Sequence, residues 1–130
     1  MNKITVARVS GYDAAITRAP HADVHVIGAV GELDEAAVTA LGDEIVGLAC
    51  AGKQNIVLDL SEVYHLDYRA VRLLAARAAF LRQCSGDLKL CGLSPYLQAI
   101  VRASGLYDRF DLHPDAESAA AAFAFEAALE

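Results

Sequence analysis

The segment Asn55–Leu60, N-I-V-L-D-L, constrains the fold more than any other stretch of the chain. A strand with one solvated face alternates apolar and polar residues. A short, near-continuous apolar run suits a strand covered on both faces, as in a parallel sheet between helices. Its flanks supply the helices. Asp34 is placed to N-cap a helix reaching about Cys50, with Val38, Leu41, Ile45, Leu48 and Ala49 as one apolar stripe. Ala51-Gly52 supplies its stop. Ser61–Leu66 reads as a loop. Asp67 then opens a helix to about Gln83, apolar along Val71, Leu74, Ala75, Ala78 and Leu81, with Arg69, Arg72, Arg77 and Arg82 on its exposed side.

The same pattern continues in both directions. Ile4–Val9 alternates with period two, and Asp23–Val30 reads as a further strand that Gly31 breaks. Ser10–Pro20 between them reads as a polar loop or ragged hairpin. Leu88–Cys91 and Phe110–Leu112 are short strands. Ser94-Pro95 starts a helix, with serine as cap and proline in the first turn, which Leu97, Ile100 and Val101 face inward and Gly105 ends. Asp115 caps a final alanine-rich helix. The expected fold is therefore α/β, a single domain over residues 1–130 with a mostly parallel central sheet. Ile4–Val9 and Asp23–Val30, with no helix between them, are expected to pair antiparallel at one edge. Val57, Leu58, Leu60, Val71, Leu74 and Leu90 are the expected core.

Composition narrows the function. Apolar residues are 55% and charged residues 22% of the chain, which excludes disorder. With 11 Lys and Arg against 17 acids, net charge −6 and no basic run, nucleic acid is not an expected partner, whereas a basic protein surface could be. No apolar stretch approaches the ~20 residues of a membrane span, and no signal segment is evident. Cys50, Cys84 and Cys91 show no paired spacing and read as reduced thiols buried as small hydrophobes, which points to the cytoplasm.

Nothing in the sequence assembles into catalysis. His65 and Asp67 form H-x-D without a third metal ligand. His25 reads as a core-edge or surface histidine. Glu32, Asp34 and Glu35 are better explained as a solvated loop and a helix cap than as acid–base catalysts. No nucleophile–base pair, phosphate loop or cofactor fingerprint is present, so no cofactor, metal or enzymatic activity is expected.

Several pieces in order resemble the STAS domain family of the anti-sigma-factor-antagonist type. They are G-E-L-D at Gly31–Asp34, I-V-L-D-L-S-E-V at Ile56–Val63, Asp67 opening the next helix, G-L-S-P at Gly92–Pro95 and S-G-L-Y-D-R-F at Ser104–Phe110. Together they cover roughly Lys3–Leu129. The resemblance implies a binding module that docks to a kinase-like anti-sigma factor and is switched by phosphorylation of a serine in a D-S-S-G motif. Here that motif reads Asp67-Tyr68-Arg69-Ala70. Arg69 falls at the serine position, so the usual switch chemistry has no acceptor and no phosphorylation is expected.

Two further roles fit the resemblance: a STAS subunit bound to the ATPase of a lipid-transport type ABC transporter, and a scaffold subunit of a stressosome-like assembly. A small-ligand sensor or enzyme ranks below these. Homodimerisation is left open. The expected partner-binding residues are Asp34, Asp67, Tyr68, Arg69 and Arg72, because the Gly31–Asp34 and Ser61–Asp67 loops follow neighbouring strands and should lie side by side at the carboxyl end of the sheet. Asp67 would also cap the helix. Arg69, a cation in a first helical turn, works against the helix dipole and reads either as a solvated arginine or as a fixed positive charge for docking.

Overall fold

In a computed structural model, the backbone is described for residues 3–9, 12–19 and 22–129, and side chains for 24–127 and Leu129. The elements run β1 (Lys3–Val9), β2 (Tyr12–Ala19), β3 (Ala22–Leu33), α1 (Glu35–Cys50), β4 (Asn55–Leu66), α2 (Val71–Gln83), β5 (Asp87–Cys91), α3 (Pro95–Ala103), β6 (Asp111–His113) and α4 (Ala116–Ala128). A single turn of 3-10 helix, Tyr68–Ala70, leads into α2, and another, Tyr107–Arg109, precedes β6.

All six strands form one sheet in chain order. β3 to β6 are parallel, joined through α1, α2 and α3, while β1 and β2 are antiparallel additions. The expected direct pairing of the first strand with the strand over Asp23–Val30 is therefore corrected: β2 lies between them, within the segment expected to be a loop. Its Y-D-A-A-I-T-R-A alternates poorly. Main-chain pairing on both sides, to β1 and β3, supplies what the side-chain pattern does not advertise. Ser10, Gly11 and Pro20 lie outside the described residues.

Two more boundaries move. β3 runs through Gly31 to Leu33, and β4 runs through the expected Ser61–Leu66 loop. Both extensions exist because the two strands keep pairing to Leu33↔Leu66, well past Asp59, where β5 ends its pairing with β4.

The sheet separates two apolar layers. On one face Ile27, Leu33, Ile56, Leu58, Leu60, Leu66, Leu88 and Leu90 pack against α1, α2 and α3. On the other, Val24, Val26, Val57 and Cys91 meet Ala119, Ala120 and Phe123 of α4. The six expected core residues are all buried. Of the cysteines only Cys91 is buried; Cys50 and Cys84 are exposed because they fall at or just past helix C-termini, beyond the packed faces. Burial, then the nearby Asp59 carboxylate, pushes the Cys91 thiol up to about 12.

The α4 layer also buries a cation. Lys89 is 1% exposed. Its Nζ donates to Asp111 Oδ2 at 2.6 Å, Glu126 Oε2 at 2.9 Å and Asp87 Oδ2 at 3.3 Å, and lies 4.6 Å from the centre of the Phe123 ring. Asp87 in turn accepts from Arg82 Nε of α2 at 2.9 Å, and His113 Nε2 sits 3.0 Å from Asp111 Oδ2. Burial works against the ammonium, but the bonds to Asp111 and Glu126 outweigh it and raise the Lys89 pKa. Burial likewise works to raise Asp111, and Lys89 and His113 overcome it and lower that carboxyl. A helix whose core side is largely alanine is thus anchored by a charge-assisted network.

Two outcomes follow for stability. Leu74→Ala, at a fully buried site, is expected to cost ~2–5 kcal/mol in chemical denaturation. Lys89→Met should cost ~1–3 kcal/mol, towards the low end because the half-exposed Asp111 and Glu126 can rehydrate. The signs with pH are fixed by the two shifts. The depressed Asp111 stabilises the fold above its unfolded value of about 4, and this is lost as pH falls through the lower folded value; the raised Lys89 stabilises it below about 10.4, and this is lost as pH rises through the higher folded value. In Lys89→Met, denaturation midpoints across pH should lose the alkaline shoulder and show a smaller acid one, which His113 still supports. A shoulder undiminished in the variant would belong to other groups.

Candidate functional site

At the carboxyl ends of β3 and β4 the chain turns into its two helices side by side. The Asp67 N–H donates to the Leu33 carbonyl at 2.9 Å, tying the second exit to the first. Each exit is capped by its own aspartate. Asp34 Oδ1 accepts from the Ala37 N–H at 2.8 Å and so caps α1. Asp67 Oδ1 accepts from the Arg69 N–H at 3.0 Å, capping the 3-10 turn that precedes α2 rather than α2 itself. Both satisfy donors that a helix start leaves unpaired.

Arg69 is exposed to solvent and ion-paired at the same time. Its Nε and Nη2 approach Asp67 at 3.3 and 3.1 Å, and Nε lies 3.5 Å from Glu35 Oε1 in the first turn of α1. The guanidinium bridges the two exits. Its hydrogen bond to Asp67, joined by the backbone N–H, lowers the Asp67 pKa, and Asp67 raises that of Arg69. The unfavourable position of a cation in a first turn is offset by these two carboxylates.

Glu35, Tyr68, Arg69, Arg72, Ser104 and Leu106 line an open groove of about 600 Å³ between this corner and the end of α3. Tyr68 is 58% exposed above it, and Arg72 is exposed with no ion-pair partner among the described residues. Asp67, Tyr68, Arg69 and Arg72 thus share one surface, bridged through Glu35 to the helix start that Asp34 caps. Glu32, expected in a loop, is an exposed residue of β3. His65 is half-buried, and its Nδ1 is 2.8 Å from Tyr96 Oη. His25 is buried on β3, further inside than a surface histidine. Among the described residues no His, Cys, Asp or Glu group is placed to hold a metal.

Sequence patterning misses how β4 presents its side chains. The β3–β4 register passes from Gly31↔Val63 to Glu32↔His65, leaving Tyr64 as an extra, unpaired residue; an earlier shift passes from Gly28↔Asp59 to Val30↔Glu62. Such bulges re-aim side chains. Tyr64 is 69% exposed as a result. Opposite it, Gly31 has φ +87°, and a Cβ there would lie 3.9 Å from Tyr64 Cε1.

Residues 16–113 match the family model described as Mlab, STAS domain. The chain belongs to the STAS domain family. It is 31% identical over 93 residues to the "Putative anti-sigma factor antagonist BtrV" of Bordetella bronchiseptica, covering 72% of this chain and 80% of that protein. Among solved structures, an anti-sigma factor antagonist from Mycobacterium paratuberculosis superimposes with a TM-score of 0.69 at 23% identity, over 90% of this chain and 97% of the other. The anti-sigma factor antagonist SpoIIAA in its unphosphorylated form gives 0.62 at 20% identity, over 85% and 96%. These two likenesses establish the shared STAS fold. No helix among the described residues is long and apolar enough to cross a membrane.

Gly31→Ala would force a side chain into the left-handed region beside the bulge. The expected cost is ~1–2 kcal/mol in urea denaturation. A neutral substitution would show that β3 relaxes there, and that Gly31 does not shape the rim.

Proposed function

We propose that this STAS domain is a protein-binding regulator of the anti-sigma-factor-antagonist type, not an enzyme, acting in the cytoplasm. It docks to a kinase-like anti-sigma partner through the face formed by Asp34, Asp67, Tyr68, Arg69 and Arg72. The likeness to BtrV over most of both chains carries the functional class. Geometry supports the location: an exposed tyrosine and an unpaired arginine flank an open groove at the carboxyl ends of two parallel strands. Tyr68 serves as the aromatic anchor. The Arg69 bridge to Asp67 and Glu35 holds the capped turn in register.

On this reading the domain works without a phosphoserine switch. Asp67–Ala70 contains no serine or threonine, and the ion-paired Arg69 occupies the position where phosphate would be received. The partner then meets a surface that is permanently competent, or one controlled by a route other than phosphorylation of this segment.

The test pairs the purified protein with the kinase-like anti-sigma factors of its own organism by isothermal titration. Wild type should bind one of them, and Arg69→Glu should weaken that binding roughly tenfold or more, because it breaks the bridge and gathers three acids at the corner. Incubation with ATP should leave Asp67–Ala70 unmodified in mass spectra. Equal affinities for wild type and variant would remove this surface from the interface, and phosphate on Tyr68 would overturn the absence of a switch in Asp67–Ala70. Stable binding to an ABC ATPase in place of any anti-sigma factor would assign the chain to a transport complex.

A further inference from the structure

Beyond the groove, the end of the β3–β4 pair carries an exposed aromatic and acidic rim. We infer that this rim receives arginine or lysine side chains of the protein partner, an extension of the interface that rests on the docking reading above. The rim is built by the second β4 bulge, which turns Tyr64 outward at 69% exposure. Tyr96, at the start of α3 and 53% exposed, is fixed to the same strand end by its 2.8 Å bond to His65, the two rings lying 5.9 Å apart. In parallel register, Glu32 stands beside His65 and Glu62 beside Val30, and both glutamates are exposed.

Charge decides which partner fits. Among the described residues neither Glu32 nor Glu62 has a cationic partner, and Arg69 of the corner is already committed to Asp67 and Glu35. The rim therefore shows uncompensated negative charge next to two tyrosine rings. Ring faces attract cations, most strongly a planar guanidinium, and carboxylates pair with the same group. An apolar partner would leave the glutamates unpaired, and an acidic one would be repelled. A partner surface presenting arginines satisfies both. The groove would then supply the apolar anchor around Tyr68 and Leu106, and the rim the charge that orients it.

Two experiments decide this. In the first, the 15N-labelled protein is titrated with hexa-arginine and, as control, hexa-glutamate. Hexa-arginine should shift Glu32, Glu62, Tyr64, His65 and Tyr96 before the acids of α1 and α4, and hexa-glutamate should shift none of them. Shifts spread evenly over all acidic surfaces would overturn the inference, whatever the identity of the partner. In the second, the anti-sigma factor found to bind is titrated against Tyr64→Ala and against the Glu32→Gln/Glu62→Gln double variant. Tyr64→Ala should weaken binding about tenfold. The double variant should bind more weakly at low salt and lose much of the wild type's salt dependence. Wild-type affinity and salt dependence in both, with binding still lost in Arg69→Glu, would sink the rim and leave the groove standing. If no anti-sigma factor binds the wild type, the docking reading fails and the first experiment alone decides the rim.

Discussion

The parallel pairing of β3 with β4 is the contact on which every other part of this molecule depends. It runs from His25↔Ile56 to Leu33↔Leu66 and is closed by the Asp67–Leu33 backbone bond. The two strands supply both apolar layers, since successive residues such as Val57 and Leu58 are buried on opposite sides. They also set the departure points of α1 and α2. Because β5 stops pairing at Asp59, the last turns of β3 and β4 project beyond the rest of the sheet and carry the candidate site with them. The site is thus placed by main-chain hydrogen bonds, while its side chains remain free to vary.

That division explains how one scaffold can keep its shape and change its chemistry. Asp34 and Asp67 each cap a helical start, so their local role is fixed by unpaired N–H groups. Tyr68 and Arg72 satisfy no such requirement and are exposed. Arg69 stands between the two kinds: it faces solvent, with its side chain 67% exposed, yet it bridges both exits. Exposed ion pairs contribute little to stability as a rule, so the bridge matters more for the orientation of the turn than for the survival of the fold.

Much of this was legible in the chain itself. The apolar run at Asn55–Leu60 announces the buried parallel strand, and Asp34, Ser94 and Asp115 mark three helix starts at the residues where they occur. What was not legible depends on partners distant in sequence. Tyr12–Ala19 becomes a strand because two neighbours pair with it. Ser61-Glu62 looks like a loop and is extended because β3 continues beside it. Tyr64 gains its exposure from a bulge, which no two-residue period encodes. Lys89, in L-K-L, resembles the solvent-facing residue of a half-buried strand; its true surroundings come from Asp111 and Glu126, far along the chain.

That lysine ties the covering of one face of the sheet to the pairing of its charge. An ammonium group leaves water only when its counter-charges are in place. Asp87 is adjacent on β5, but Asp111 arrives with β6 and Glu126 with the last turns of α4. A chain that has completed the four parallel strands still holds Lys89 against solvent on one side. On that side of the sheet, docking a mostly alanine helix and dehydrating one cation are therefore coupled.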